Sequence, residues 1–79
     1  MVKIGTYKHF SGHLYEVIAV GNRVAGERTN EVVLEEVVIY HAKFESEQYG
    51  KNHFWVRSVA NFEEKVIIDG REVERFQLK

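Results

Sequence analysis

The chain has 79 residues, of which 44% are hydrophobic and 29% are charged, and these proportions are ordinary for a globular protein. We therefore predict a single domain over residues 1–79. Domains this small bury only about 60% of their unfolded surface, which argues against a large enclosed active site. The 11 Lys and Arg nearly balance the 12 Asp and Glu, giving a formal net charge of -1, so nucleic acid and anionic membranes are not the expected partners.

The chain has no cysteine, which excludes disulfides, thiolate nucleophiles and cysteine zinc sites. No apolar run is long enough for a signal peptide or a membrane span. These absences predict a cytoplasmic protein without a membrane partner. No motif in the sequence requires a cofactor or a metal.

Two strands are predicted to form a hairpin near the start of the chain. Residues 7–10 form the first strand, and Gly12 marks the turn because glycine supplies the positive φ that a hairpin needs. Residues 14–20 are β-branched and aromatic, so they form the second strand, and residues 23–25 can continue it. Residues 26–31 combine turn formers with charges and are predicted to be a surface loop.

The third predicted strand covers residues 32–44, whose second half is rich in β-branched residues. Side chains alternate between the faces of a strand, and one face of this segment carries no charge. That face is the predicted core face, and it carries Val38, Tyr40, Ala42 and Phe44. A polar connector, residues 45–52, leads to the next strand.

The fourth predicted strand holds the only tryptophan of the chain. Trp55 and Arg57 share one face, and Phe54 and Val56 share the other. In one interpretation Phe54 and Val56 build the core, while Trp55 and Arg57 present an aromatic ring and a cation on the opposite face.

A single helical turn is predicted after this strand, over residues 61–65. Asn61 is the expected N-cap, because asparagine accepts hydrogen bonds from the free amides that open a helix. The turn is too short to pack as a helix.

The end of the chain is predicted to form a second hairpin around Asp69-Gly70, the pair that a type I′ turn favours because both positions need positive φ. The register makes the face with Val66 and Ile68 the better buried one. A last strand covers residues 76–78.

Five or six short strands joined by turns predict an all-β fold, a small antiparallel barrel or roll of the SH3-like kind. Closure into a barrel would remove the open strand edges that make small sheets prone to aggregation.

Three blocks of residues stand in a characteristic order and spacing. They are Gly5-x-Tyr7-x-His9-Phe10-x-Gly12-x-x-Tyr15, then Val38-Ile39-Tyr40-x-Ala42-x-Phe44, then Trp55-Val56-Arg57 followed by Phe62, Val66, Asp69-Gly70 and Arg75-Phe76. In this order they resemble the DUF1653 family, small bacterial domains of unknown function. The resemblance covers most of the chain and supports the small all-β fold, but it implies no catalytic residue.

The chain departs from the family pattern at two places. The family usually has a histidine-serine-acid-threonine stretch where this chain has the longer segment around residues 26–31. It also tends to have proline after the arginine of the third block, where this chain has Ser58. If the polar stretch matters to the role of the family, this chain has changed it.

Trp55 and Arg57 together can form a stacking and cation–π platform for a base, a sugar or an anionic group. The alternative, which we favour, is that Trp55 is a core or seam residue near Phe62 and that Arg57 lies along it with its head in water, because aromatic rings are chiefly buried mass. Tyr7, Tyr15 and Tyr40 are candidates to line the same concavity, with Tyr40 in the core and its hydroxyl at the rim.

Arg57, Arg75 and His9 lie far apart in the sequence, and a small anion pocket beside Trp55 would form if they converged. The planar fork of arginine suits carboxylate or phosphate. Separate surface ion pairs with the abundant glutamates are the favoured alternative.

The sequence offers little support for catalysis. A zinc site from three of the four histidines is disfavoured, because no second-shell partners are evident; the histidines are His9, His13, His41 and His53. Adjacent glutamates on a strand point to opposite faces, so neither Glu35-Glu36 nor Glu63-Glu64 forms an acid–base pair.

Our leading hypothesis is a non-catalytic binding module for a small anionic or aromatic ligand or a short peptide, at the face with Trp55 and Arg57. The main alternative is a structural protein that buries this face in a homodimer, since a core this small gains from association. Nucleic acid binding is a third hypothesis, which the charge balance disfavours, and metal-dependent hydrolysis is the last.

Overall fold

The computed structural model describes residues 2–26, 30–50 and 53–79. These residues form seven strands and one helical turn, so the all-β prediction is confirmed, with one or two strands more than expected. The elements are β1 (Gly5–His9), β2 (Leu14–Ala25), β3 (Val32–Ala42), β4 (Phe54–Ser58), α1 (Val59–Phe62), β5 (Lys65–Ile68), β6 (Arg71–Glu74) and β7 (Phe76–Leu78).

Five strands form one antiparallel sheet in the order β4-β3-β2-β1-β7, and β5 and β6 form a separate hairpin. Among the described residues the edge strands β4 and β7 do not pair with each other, so the sheet is open. Of the two predicted architectures, the roll agrees with this sheet, and the closed barrel is wrong. Both edge strands are short, so few backbone amide and carbonyl groups at the sheet edges lack a strand partner.

The first hairpin is confirmed, with Gly12 at a φ of 100° in its turn. Strand β2 continues to Ala25, as predicted, and pairs with β3 to form a long ribbon. Strand β3 ends at Ala42, two residues earlier than predicted. Residues 27–29 of the predicted loop lie outside the described residues. At its start, a Cβ on Gly26 would lie 2.1 Å from the carbonyl oxygen of Asn30, so only glycine fits there.

The predicted helical turn forms, but the prediction of its start was wrong. Helix α1 begins at Val59, and its N-cap is Ser58, whose side chain accepts a hydrogen bond from the backbone amide of Asn61. Asn61 lies inside the turn, and its side chain is used by Arg57 instead. Ser58 stands where the family pattern favours proline, and its hydroxyl supplies the cap.

The Asp69-Gly70 turn is confirmed, because Asp69 has a φ of 52° and Gly70 a φ of 77°. The register pairs Val66 with Val73 and Ile68 with Arg71, as predicted. Val66 is half-buried, whereas Ile68 stays 40% exposed, so the better-buried face of this hairpin is covered only in part.

The core lies on one face of the five-stranded sheet and is closed by an aromatic stack. Phe62 follows edge strand β4, Phe76 begins the opposite edge strand β7, and their rings stack with centroids 4.2 Å apart and an interplanar angle of 4°. The stack therefore joins the two edges of the sheet through side chains, without hydrogen bonds between strands. It curls the open sheet into a roll.

The predicted core face of β3 is largely confirmed, since Val38, Tyr40 and Ala42 are buried and Phe44 is half-buried. The remaining buried hydrophobic residues among the described ones are Val2, Tyr7, Val17, Val37, Phe62 and Phe76.

Of the two interpretations of β4, the one that builds the core from Phe54 and Val56 is wrong. Phe54 and Val56 are 56% and 62% exposed, and the opposite face, with Trp55 and Arg57, lies on the core side. The reason is register: Trp55 pairs with Tyr40 and therefore shares the core face of β3.

Because Phe62 is 2% exposed and holds both edges of the sheet, we expect Phe62→Ala to lower the free energy of unfolding by about 3–5 kcal/mol. Urea unfolding measures this loss, and Phe62→Leu keeps the variant folded if alanine does not. Val56→Ala is the control and should change stability by less than about 0.5 kcal/mol. Equal losses for Phe62→Ala and Val56→Ala would contradict the role of the stack.

Candidate ligand-binding site

A cleft of about 320 Å³ opens on the core side of the sheet, beyond the end of the buried core. Strands β2, β3 and β4 form its floor, and residues 44–49 form one wall. We call it the aromatic cleft, and it is lined by Tyr15, Tyr40, Ala42, Phe44, Ser46, Tyr49, Trp55 and Arg57. Three of the predicted site residues therefore meet here: Tyr40, Trp55 and Arg57.

Arg57 is held in place by two neutral groups. Its Nε donates a hydrogen bond to the hydroxyl of Tyr40 over 3.1 Å, and its Nη1 donates to Oδ1 of Asn61. Its guanidinium carbon lies 5.5 Å from the centroid of the Phe76 ring, within cation–π range. No ion pair among residues 2–26, 30–50 and 53–79 involves Arg57, so its charge is oriented but not neutralised there.

Trp55 lines the cleft, and its ring packs against two other rings. Its ring centroid lies 5.0 Å from that of Tyr49 and 4.6 Å from that of His53, both at steep angles. Tyr49 and His53 stack on each other at 4.6 Å. We predicted a seam near Phe62, but the ring contacts of Trp55 within the described chain are these two residues. Trp55 is 36% exposed, so a ligand can reach it.

The floor of the cleft carries hydroxyl donors. Tyr40 is only 5% exposed, so the prediction of a core ring is confirmed, and its hydroxyl accepts a hydrogen bond from Arg57. Tyr15 contacts Tyr40 edge to face at 5.7 Å. Burial raises the pKa of Tyr15, the neighbouring Tyr40 raises it further, and Arg57 opposes the shift. The hydroxyl of Tyr15 is therefore a protonated donor near neutral pH.

His9 and Arg75 lie next to the cleft. The His9 ring packs edge to face on Phe76 at 5.0 Å and on Tyr15 at 6.0 Å. Burial is the main cause that lowers the pKa of His9, and the positive charges of Arg57 and Arg75 lower it further. The positive charges of Arg57 and Arg75 both act on His9, but of these three residues only Arg57 lines the aromatic cleft.

Arg75 forms an ion pair with a glutamate, as the favoured alternative predicted. Its Nη2 donates to Oε1 of Glu64 over 2.7 Å. Its Nε is buried and has no hydrogen-bond partner among the described residues. Arg75 therefore adds positive potential near the cleft but does not line it.

Tyr7 lies away from the cleft. Its ring is buried against Phe62 at 5.1 Å, and its hydroxyl donates to the carbonyl oxygen of Lys3 and accepts from the amide of Lys3. The structure thus places Tyr7 as an anchor for the start of the chain.

Sequence reasoning missed two groups at the site. Tyr49 lies in the polar connector, where no periodicity indicates which way a ring points. Asn61 was assigned to a helix cap, although it comes one helical turn after Arg57.

A larger depression, about 460 Å³, lies on another part of the surface and is lined by Lys8, His9, Phe10, Ile68, Val73, Glu74 and Gln77. Its charges are mixed, and it holds no group of converging donors, so the aromatic cleft is the better candidate site. Within the described ranges, no three His, Cys, Asp or Glu side chains are arranged to hold a metal ion. The same ranges contain no helix with the length and apolar character needed to cross a membrane.

The lowered pKa of His9 predicts a pH dependence of stability. Because the folded-state pKa lies below the ordinary 6.5, the unfolded chain binds more protons below that pH, and the free energy of unfolding falls as pH drops from 7.5 to 5.5. NMR titration of the His9 ring measures its pKa directly. Arg57→Gln should raise the pKa towards 6.5, because one of the opposing charges is removed.

Arg23→Gln is the charge-matched control, since Arg23 lies in the β2–β3 ribbon and pairs with Glu35. It should leave the pKa of His9 where it is in the unaltered protein. A His9 pKa at or above 6.5 in the unaltered protein would show that the ring is neither desolvated nor close to the arginines.

A protein-family model matches almost the whole of this chain. The model of the family described as "Protein of unknown function (DUF1653)" matches residues 5–78, which is essentially the whole chain. No curated protein and no solved structure matches it, so the SH3-like description stays a prediction. The match includes β1 to β7 and every residue of the aromatic cleft. The chain therefore belongs to the DUF1653 family of proteins of unknown function.

Proposed function

We propose that this protein is a non-catalytic binding module that holds a small anionic or aromatic ligand, or a short acidic peptide, in the aromatic cleft. The observation that carries the proposal is Arg57, which is oriented by Tyr40 and Asn61 and has no carboxylate partner among the described residues. An arginine fixed by neutral groups keeps its charge for an incoming anion.

The other groups of the cleft complement the same ligand. The hydroxyls of Tyr15 and Tyr40 are donors, and Trp55 and Tyr49 offer ring surface for a flat or apolar group. The volume, about 320 Å³, is at the small end of the range for ligand sites, about 300–1,000 Å³. A carboxylate or phosphate carrying one ring fits these features.

The chemistry of the lining favours binding over catalysis. Ser46 is the hydroxyl nucleophile of the cleft, but its oxygen accepts from the amides of Gln48 and Tyr49. No base among the described residues hydrogen-bonds to it, so a serine mechanism lacks its second member. We also propose that the protein is cytoplasmic, and this location stays a prediction.

Tryptophan fluorescence tests the proposal, because Trp55 is the only tryptophan and forms the cleft wall. We expect phenyl phosphate and benzoate to change the emission saturably, and the neutral benzyl alcohol to bind more weakly. A charged hydrogen bond contributes about 1.5–3 kcal/mol, so Arg57→Gln should weaken anion binding by about 10- to 100-fold.

Arg23→Gln changes the net charge equally but lies outside the cleft, so it should bind like the unaltered protein. An equal loss in both variants would mean that only overall charge matters. A saturable response that Arg57→Gln leaves intact would place the anion elsewhere and refute the proposed site.

A homodimer is the second candidate function, and the exposed face of β4 favours it. Phe54 and Val56 are exposed on an edge strand, where a second copy can add its own strand. If the protein dimerises there, sedimentation velocity will show a dimer at micromolar concentration, and Val56→Lys will convert it to a monomer. A monomer in both cases would reject this candidate.

A further inference from the structure

We propose that the occupant of this site is an extended acidic peptide strand that pairs with the free edge of β4 and places a carboxylate on Arg57. This inference rests on the proposed function, because it uses the same cleft and the same arginine. It adds the conformation of the partner and its sequence pattern.

The backbone of β4 is available on one side. Strand β4 is the last strand of the sheet, and among the described residues it pairs only with β3. In an antiparallel pair, alternate residues point their amide and carbonyl groups away from the partner strand. An added strand would satisfy these groups, which is how extended peptides bind open sheet edges.

The side chains of β4 define what that strand must carry. An added strand lies about 4.8 Å from β4, and its side chains alternate between the same two faces. On the cleft face its neighbours are Trp55 and Arg57, and on the other face they are Phe54 and Val56, both exposed. The matching peptide therefore alternates acidic and apolar residues, with its acidic side chains on the cleft face.

Charge complementarity distinguishes this partner from a second copy of the chain. Strand β4 contains Arg57 and no aspartate or glutamate. Two copies paired through β4 would bring two arginines into one seam with no carboxylate from either strand to neutralise them. A foreign acidic strand supplies that carboxylate, so it is the favoured occupant over the homodimer.

The position of the cleft supports a strand more than an isolated ion. Arg57 lies on the edge strand itself, and Trp55, two residues before it, forms the outer wall. A carboxylate placed opposite Arg57 on an added strand therefore has Trp55 as its neighbour two residues along the same face. An apolar residue next to the acidic one would cover Phe54 or Val56 on the far face and add apolar burial there.

The test uses a fluorescein-labelled, blocked heptapeptide of alternating valine and glutamate, with binding followed by fluorescence anisotropy. Three peptides of the same length are compared with it: glutamine in place of glutamate, the same composition with the valines and glutamates in separate blocks, and the alternating sequence with N-methylated amides along one edge. We expect each change to weaken binding at least tenfold, because each removes the charge, the alternation or the backbone pairing.

The protein variants repeat the comparison from the other side. Arg57→Gln should weaken binding of the alternating peptide about 10- to 100-fold, whereas Arg23→Gln should leave it unchanged. Amide shifts in NMR spectra should be largest along β4. Equal binding of the block or N-methylated peptide would overturn strand addition, since a flexible anion would then bind as well as a strand.

The outcomes separate this inference from the proposed function. If phenyl phosphate binds with an Arg57-dependent response and the alternating peptide does not bind, the cleft is a small-ligand site and the peptide inference fails alone. If neither binds, both fail. If sedimentation shows a dimer through β4 that excludes the peptide, the occupant is a second copy and the inference is overturned.

Discussion

The stack of Phe62 on Phe76 is the contact on which the rest of the structure depends. The sheet is open, and its two edges are tied through these rings and not through a ladder of hydrogen bonds. Tyr40 contacts both rings edge to face, at 5.9 and 5.5 Å, so the floor of the aromatic cleft rests on the same cluster. Fold stability and site geometry are therefore one property of this protein, because the same few rings carry both.

The roll also decides the electrostatics of the site. His9 lies opposite Phe76 in the β1–β7 pair, and curling the sheet brings Arg57, on the far edge strand β4, to the same ring. Arg75 precedes β7 and pairs with Glu64. Arg57 therefore carries a positive charge with no carboxylate partner among the described residues, on a protein whose formal charge is -1, so the whole-chain charge says little about the local preference for anions.

The two departures from the family pattern differ in their structural consequences. Ser58 replaces the expected proline and caps α1, so the turn that carries Asn61 and Phe62 is held by a side-chain hydrogen bond. Of residues 26–31, the structure describes Gly26, Asn30 and Glu31, which lie between β2 and β3 in the chain and do not line the aromatic cleft.

The sequence determined the turns, the register of the Asp69-Gly70 hairpin, the all-β class and the shared face of Trp55 and Arg57. Each of these features depends on φ preferences or on side-chain alternation, which are local properties of the chain. Alternation does not say which face meets the core, so the sequence left two interpretations of the faces of β4. Only the pairing of Trp55 with Tyr40 decided that. The open sheet, the ring stack across its edges and the convergence of Tyr49 and Asn61 on the cleft come from contacts between distant segments, which no local pattern encodes.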